Sequence, residues 1–286
     1  MIEIVKVENK EQEKEFVMFP FSLYKGCDYW VPPIISEELE SMDKEKNPVF
    51  ENAEAEFYIA KKDGVTVGRI AAMVNWVEIE EQKKNKLRFG WYDTIDDLEV
   101  SKKLLESVIE FGKKRKLEFV DGPVGFSNMD KAGLLIEGYE ELNTMITWYH
   151  YPYQKEHLKK LGFSKLAEWV EYKIKIFSAE DAPEKVKKFS KIIQQRYELK
   201  VLNFKSRKEI VPYVDKMFEL LNVTYSNLQT YVTIKQYQID FYKEKFIKYI
   251  HPDFIKCCLD KDDNLIAFLI TMPSFSRALK KINGKM

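Results

Sequence analysis

Residues 122–149 form the stretch of the sequence whose residue types are best suited to binding a ligand. Hydroxyl, amide and carboxylate groups occur there at Ser127, Asn128 and Asp130, among several glycines, and Tyr139 follows. The stretch is longer than an ordinary connection between two secondary-structure elements. It can therefore be a binding loop or a packing insertion, and the sequence leaves both interpretations open.

Aromatic side chains form the second group of candidates. Tyr149, Tyr151 and Tyr153 surround a predicted helix start, and Trp30 precedes a pair of prolines. Such side chains join an apolar body to a polar tip, so they can line a binding site or pack as the wall of a core. Trp30 can equally face a ligand or hold the first two helices together. The substrate-binding candidates are Trp30, Tyr139, Tyr149 and Tyr153.

The sequence assigns no catalytic residue. Its three histidines, His150, His157 and His251, follow neither the patterns of nucleophilic triads nor the His-x-x-x-His spacing of zinc sites. The three scattered cysteines form neither a disulfide framework nor a zinc spacing. The catalytic residues therefore stay unassigned, and no metal site is predicted.

Hydrophobic periodicity indicates the elements that must position these residues. Alternating apolar residues predict strands at residues 2–7, 55–60, 65–74, 87–95, 119–124 and 168–176. Helical spacing predicts helices at residues 10–24, 34–42, 96–116 and 152–161, with Pro20 expected to end or kink the first. Asp63 and Gly64 suit a hairpin turn between the second and third strands. This order predicts an α/β fold, a central sheet with helices on both faces.

The composition bears on the class of partner. The 46 basic and 46 acidic residues balance, whereas a nucleic-acid-binding protein normally carries a basic excess. No apolar run approaches the roughly 20 residues that span a bilayer, and the first residues lack the apolar core of a signal peptide. We expect a cytoplasmic protein with no nucleic-acid partner and no membrane partner.

Several short motifs resemble one family. The helix ending in Leu161-Gly162-Phe163 and the hairpin with Gly68-Arg69-Ile70-Ala71 resemble the acyl-CoA N-acyltransferase (GNAT) superfamily over residues 1–176. More narrowly, Trp30-Val31-Pro32-Pro33 and Gly133-Leu134-Leu135-Ile136 resemble a bacterial branch of GNAT-like proteins. The resemblance implies a GNAT-like mixed central sheet, in which the strands at residues 87–95 and 119–124 are parallel neighbours that splay apart.

The second half of the sequence repeats this pattern. A strand, two helices and a hairpin are predicted at residues 198–204, 208–228, 233–249 and 253–272. We therefore expect a tandem protein, with a GNAT-like domain at residues 1–176 and a second, incomplete GNAT-like half at residues 177–286.

The resemblance also implies where a cofactor would bind, and the sequence departs from the family there. GNAT proteins bind acetyl-CoA through a Gln/Arg-x-x-Gly-x-Gly/Ala segment at the start of the long central helix, a place that residues 96–101 occupy. Asp96 and Glu99 stand where the family has Gln or Arg and the first Gly, so charge repulsion should weaken binding of the pyrophosphate. The cofactor-binding candidates for acetyl-CoA or another acyl-CoA are Tyr92, Asp96, Ser101 and Asn128.

The function that the resemblance implies is acyl-CoA-dependent N-acyl transfer to a small-molecule or peptide amine. The family's proton-donating Tyr aligns with Leu158, which cannot act as an acid. The alternative is a non-catalytic GNAT-fold module that binds a ligand or an interaction partner. The sequence does not decide between these two functions.

Overall fold

The computed structural model describes residues 1–175, 178–228, 230–246 and 250–285. The chain divides into two compact units, Met1–Glu168 with Ser274–Met286, and Trp169–Pro273. The segment that begins at Ser274, which the sequence analysis assigned to the second domain, therefore belongs to the first unit. The predicted boundary near residue 176 stays a prediction.

A five-stranded sheet in the order β1-β2-β3-β4-β5 forms the centre of the first unit. Its strands are β1 (Ile2–Lys6), β2 (Ala53–Lys62), β3 (Val65–Asn75), β4 (Lys86–Thr94) and β5 (Phe119–Asp121). The first four strands pair antiparallel, and β5 pairs parallel to β4 over residues 86–88 of β4. The prediction of two parallel neighbours at residues 87–95 and 119–124 is confirmed.

Helices cover both faces of this sheet, as the sequence predicted. They are α1 (Lys10–Leu23), α2 (Ile35–Met42), α3 (Trp76–Glu80), α4 (Leu98–Lys114) and α5 (Pro152–Lys160). Because alternate residues of a strand face opposite sides, Ile59 shares a core cluster with Phe16 of α1, whereas Ile70 shares one with Leu104 of α4. No described helix has the length and apolarity that crossing a bilayer requires.

The hairpin between β2 and β3 turns at the two predicted residues. Asp63 and Gly64 adopt φ angles of 52° and 81°. Glycine enters this left-handed region freely, and Asp tolerates it better than most residues do. The predicted hairpin turn is therefore confirmed.

Pro20 does not end α1, because the helix continues to Leu23. A proline lacks the N–H that would bond to the carbonyl four residues earlier, here that of Phe16. Arg69 Nη1 donates to this carbonyl oxygen at 3.1 Å, so a side chain of β3 supplies the missing donor. The helix predicted at residues 10–24 is confirmed, and of the two effects expected of Pro20 the structure excludes an end of the helix.

The strand predicted at residues 168–176 is wrong over its described part. Residues 163–175 carry no strand, and Ile176 lies outside the described residues. The alternating side chains of Val170, Tyr172 and Ile174 are exposed. Alternation produces a strand only where a neighbouring strand takes the hydrogen bonds, and none of the described strands does so here.

The segment between β5 and α5 packs closely against β4. Val124 N donates to Phe89 O at 2.8 Å, and a Cβ on Gly90 would lie 2.5 Å from Val124 O. Farther along, Leu135 N donates to Nδ1 of the buried His150 at 3.2 Å. Burial lowers the pKa of His150 to about 4, so its ring is neutral near pH 7.

A buried ionic network joins the start of β4 to its neighbours. Glu78 accepts from Nε and Nη2 of Arg88 at 2.7 Å each, and Lys86 Nζ lies 3.1 Å from it. Lys86 also donates to Asp121 at 2.7 Å, and Arg88 Nη1 donates to Gly125 O at 3.0 Å. Two cations and two carboxylates therefore compensate one another where α3, β4, β5 and the following loop meet.

The second unit repeats the order of elements with which the first unit begins. Its elements are α6 (Glu184–Arg196), β6 (Lys200–Asn203), α7 (Arg207–Tyr225), α8 (Gln236–Phe246), β7 (Ile255–Leu259) and β8 (Leu265–Ile270). The strands pair antiparallel in the order β6-β7-β8. A strand, two helices and a hairpin recur, whereas α6 was not predicted. Residues 247–249, at the end of the predicted second helix, lie outside the described residues.

After the second unit, the chain forms α9 (Ser276–Ile282), which packs on the first unit. Ser276 Oγ donates to Asn143 O at 2.9 Å, and Ile35 N donates to Gly284 O at 3.0 Å. The sequence analysis did not predict this helix.

Replacing Glu78 with Gln should destabilise the first unit strongly. The substitution removes the negative charge that faces two buried cations, and breaking a buried ion pair costs about 3–5 kcal/mol. Urea denaturation should show a loss of that size in the free energy of unfolding. In the control Glu110→Gln, which breaks an exposed pair with Lys113, the loss should stay below about 1 kcal/mol. Equal losses in the two variants would contradict the role of the network.

His150 should make the stability of the chain depend on pH. Its pKa is about 4 in the folded chain and about 6.5 in the unfolded chain. The stability that the neutral ring contributes is therefore fully present above pH 6.5 and is lost as the pH falls to 4. Between pH 7 and pH 4, the native chain should lose about 3 kcal/mol more unfolding free energy than His150→Asn.

Denaturant titrations across this pH range measure the difference, with His251→Asn as the control for an exposed histidine. The control should keep the pH dependence of the native chain. Parallel curves for His150→Asn and the native chain would rule out a buried neutral imidazole at residue 150.

Candidate functional site

A small polar cavity lies beside the carboxyl end of β4. Its volume is about 20 Å³, enough for one water molecule or for the end group of a ligand. Its lining combines carboxylates, cations and aromatic rings. The lining residues on which the site depends are Tyr24, Trp30, Glu38, Arg69, Asp93 and Lys131.

Asp93 is held from two sides at the end of β4. Arg69 Nε donates to Oδ2 at 2.8 Å, and Tyr24 OH donates to Oδ1 at 2.7 Å. All three side chains are buried. Burial, followed by the Asp93 carboxylate, raises the pKa of Tyr24 well above its usual value, so the phenol stays a hydrogen-bond donor. Both oxygens of Asp93 therefore already have a partner.

Glu38 of α2 is the second carboxylate of the cavity. Trp91 Nε1 donates to its Oε2 at 2.7 Å. Lys131 Nζ lies 3.8 Å from Oε1, which is too far for a direct hydrogen bond. The Oε1 atom is therefore the carboxylate oxygen of the cavity that is best placed to bind another donor.

A bulge in β4 places the site. Between the pairs Ala71–Gly90 and Arg69–Asp93, β4 carries one residue more than β3. Trp91 lies in this bulge and adopts a φ of 47°. Because bulges bend a strand and re-aim its side chains, the indole of Trp91 meets Glu38, and Asp93 comes level with Arg69.

The structure brings two of the four substrate-binding candidates into the cavity lining. Trp30 and Tyr149 line it, and the Trp30 ring stacks on Tyr24 with centroids 5.4 Å apart. Tyr139 lies behind Tyr149, whose hydroxyl donates to Tyr139 O at 3.1 Å. Tyr153 lies on α5 and donates to Thr94 O at 2.6 Å. Sequence reasoning missed Glu38 and Asp93, because no motif links these two positions.

The start of α4 does not fit the pyrophosphate of an acyl-CoA. Asp97 caps the helix by accepting from Glu99 N at 3.0 Å, and Lys62 Nζ lies 3.1 Å from its carboxylate. Asp96 and Glu99 add two more carboxylates within two residues of Asp97 in the sequence. The helix dipole favours an anion by only about 0.3–1 kcal/mol at an exposed end. The helix end therefore offers a phosphate little attraction, and the Asp97 side chain already occupies the N–H of Glu99.

Side chains of α5 also fill the position beside β4 where the parallel strands separate. Gln154 Nε2 donates to Tyr92 O at 3.1 Å, and Tyr153 donates to Thr94 O. Gln154 Oε1 in turn accepts from Tyr151 N at 2.8 Å. The backbone carbonyl oxygens of Tyr92 and Thr94 therefore already have partners within the chain.

Of the four cofactor-binding candidates, Tyr92, Ser101 and Asp96 lie near one another, and Asn128 lies apart from them. Tyr92 and Ser101 are buried between β4 and α4, and Asp96 is 70% exposed. Asn128 lies in the turn where Asp130 accepts from Ser127 N at 2.9 Å. The structure does not join these four residues into one cofactor site.

A hydrogen-bonded chain links three of these residues through His157. Tyr92 donates to Ser101 Oγ at 2.8 Å, Ser101 Oγ lies 2.8 Å from His157 Nδ1, and Nε2 lies 3.2 Å from Asp96. Burial raises the pKa of Tyr92 to about 12, which keeps it a donor. The order Ser–His–Asp is that of a nucleophilic triad, but Ser101 is fully buried and no substrate can reach it. The chain therefore fastens α4 to α5.

Comparisons with known proteins give two relatives in sequence. The chain is 26% identical over 282 residues to protein YghO of Escherichia coli strain K12, covering 97% of this chain and 70% of that protein. It is 23% identical over 174 residues to the bacterial ceramide synthase of Caulobacter vibrioides, covering 60% of this chain and 45% of that protein. No protein-family model matches.

Solved structures show weaker likenesses. A tandem GNAT protein from the clavulanic acid biosynthesis pathway matches 96% of this chain and 76% of its own, with 10% identity and a TM-score of 0.45. A GNAT-family acetyltransferase from Staphylococcus aureus matches 43% of this chain and 74% of its own, with 18% identity and a TM-score of 0.33. Likenesses of this degree support no statement about individual residues. By its strand order, its parallel β4–β5 pair and the helices on both faces, the first unit has the GNAT-like fold that the sequence resemblance implied.

Proposed function

We propose that the chain serves N-acyl transfer and that its first unit binds the amine of the acceptor in the cavity beside β4. The observation that carries the proposal is Glu38, a carboxylate of the cavity lining whose Oε1 has, among the described residues, only the 3.8 Å contact to Lys131. An ammonium group needs such an acceptor, because burying it unpaired is very costly.

The aromatic wall supports the same ligand class. Trp30 and Trp148 line the cavity, and a cation near the face of an indole gains about 0.5–2 kcal/mol. The cavity of about 20 Å³ admits one end group. The acceptor therefore places its amine inside, while the rest of the molecule stays at the mouth.

The relative from Caulobacter narrows the acceptor class. A ceramide is the amide of a long-chain amino alcohol, so a ceramide synthase is named for a product with an acylated amine. Asn143 and Thr147, which also line the cavity, offer polar atoms for a hydroxyl next to the amine. The proposed acceptor is thus a small-molecule amino alcohol. The proposed location is the cytoplasm, as the sequence suggests.

Glu38 has a chemical role in this proposal. An ammonium group must lose a proton before its nitrogen can attack an acyl group, and a carboxylate within hydrogen-bond reach can hold the ammonium and accept that proton. As the C–N bond forms, the bond between the acyl carbon and the sulfur of the donor breaks, and the thiolate takes up the proton that the nitrogen loses on becoming an amide. Acyl-CoA is the donor class that the family resemblance suggests, and the proposal places no donor at the start of α4. Side chains of α5 fill the position where the parallel strands β4 and β5 separate. This favours the non-catalytic alternative for the first unit taken alone. In that alternative, the cavity lined by Glu38 binds an amine without transfer.

Glu38→Gln should weaken binding of 2-aminooctan-1-ol by about tenfold or more, since a hydrogen bond to a charged group is worth about 1.5–3 kcal/mol. Calorimetry on the full chain measures the dissociation constant. Glu37→Gln, the same change on an exposed neighbour of α2, should bind as the native chain does. The matching diol without an amine should bind weakly to every variant. An unchanged dissociation constant in Glu38→Gln would refute the acceptor site.

Acetyl-CoA should bind the chain weakly, and removing the acids of α4 should not be enough to restore binding. Asp96→Arg with Glu99→Gly removes two carboxylates that repel the pyrophosphate. Gln154 Nε2, however, still donates to the carbonyl oxygen of Tyr92. Adding Gln154→Ala should tighten binding by about tenfold more, as expected when one blocking contact worth about 1.4 kcal/mol is removed.

Calorimetry at low salt follows this series, with Glu106→Arg and Glu110→Gly as the control pair farther along α4. The control pair makes the same change in net charge and should leave binding as it is in the native chain. A low-micromolar dissociation constant for the native chain would overturn the account of α4.

A further inference from the structure

Helix α6 exposes an apolar stripe that no other described element of the second unit covers. Its exposed apolar residues are Val186, Phe189, Ile192 and Ile193, whose exposed fractions are 58%, 52%, 44% and 47%. None of the side chains of this helix is buried. Val186, Phe189 and Ile193 recur at intervals of three and four residues, so they form one stripe along the helix.

The same helix concentrates positive charge. It carries Lys185, Lys187, Lys188, Lys191 and Arg196 against the single acid Glu184, whereas the whole chain is balanced. At about 100° per residue, Lys185 and Arg196 border the stripe, and the other three lysines lie on the opposite side. Lys185 Nζ lies 5.9 Å from the Phe189 ring centroid. Long cationic side chains beside an apolar stripe can reach the polar layer above an apolar phase.

We propose that α6 is a membrane-surface helix that binds anionic lipid bilayers, with its apolar stripe in the boundary of the acyl chains. Basic amphipathic helices with one apolar face bind in this way. The charge of the helix favours an anionic bilayer as the binding partner. The helix carries five basic residues and one acidic residue, and anionic headgroups supply the opposite charge. A second copy of the chain would instead bring two strongly basic helices together. The proposal is independent of the amine site in the first unit.

This inference revises the expectation of no membrane partner. That expectation rested on the absence of an apolar run long enough to span a bilayer. A helix that lies in the plane of the surface needs no such run, because only one face enters the acyl region.

Sedimentation of the full chain with lipid vesicles tests the proposal. Vesicles with about one quarter phosphatidylglycerol should bind at least about tenfold more tightly than vesicles of phosphatidylcholine alone, and added salt should weaken the binding. Phe189→Glu should reduce binding to the anionic vesicles by at least about tenfold. Gln194→Glu makes the same charge change on the polar side of the helix, and should keep binding within about threefold of the native chain.

Each other outcome overturns the proposal. Absent binding to both vesicle types, or equal losses in Phe189→Glu and Gln194→Glu, would refute a role for the apolar stripe. A native dimer in light scattering that Phe189→Glu dissociates would show that a second copy covers α6. Thermal melts of both variants check folding, and Phe189→Trp adds a measurement that needs no loss of function. The tryptophan fluorescence that this variant adds should shift to the blue with anionic vesicles but not with vesicles of phosphatidylcholine. An unshifted spectrum would also refute the proposal.

Discussion

The buried guanidinium of Arg69 joins three elements of the first unit, β3, α1 and β4. It donates to Phe16 O in α1, which Pro20 leaves without its helical partner, and to Asp93 at the end of β4. Through Asp93 it also fixes Tyr24. A cation buried this deeply is tolerated only while each donor has an acceptor. One side chain, Arg69, therefore influences the position of α1 over the sheet, the depth of the cavity and the orientation of the Asp93 side chain.

Such a contact explains which parts of the fold the sequence could predict. The Asp63-Gly64 turn and the amphipathic helix α4 depend on neighbours in the sequence, so local patterns predict them. The continuation of α1 through Pro20 depends on a residue of β3, and the strand predicted near Val170 lacks a partner strand. Local patterns carry no information about either, because both outcomes are decided between distant segments.

The residues of the candidate site likewise divide into those that the sequence could predict and those that it could not. Trp30 and Tyr149 could be proposed from residue type, since aromatic residues of this kind commonly line cavities. Glu38 and Asp93 could not, because α2 and a bulge in β4 bring them together and no spacing records the bulge. The sequence analysis gave the lysines of α6 no role, since charged residues of this kind usually form a solvated helix face. Their meaning changes only once the apolar stripe beside them is known to be uncovered.

The placement of the segment from Ser274 with the first unit has a consequence for synthesis on the ribosome. The first 168 residues emerge early, but α9, whose Ser276 bonds to Asn143 of the cavity wall, follows roughly 105 residues later. At about 5–20 residues per second, that gap lasts on the order of 5–20 seconds. During this time the nascent first unit must wait with one wall of its cavity unsupported, while the whole second unit is made. An N-terminal fragment that stops at Glu168 therefore lacks the segment from Ser274 that completes the first unit.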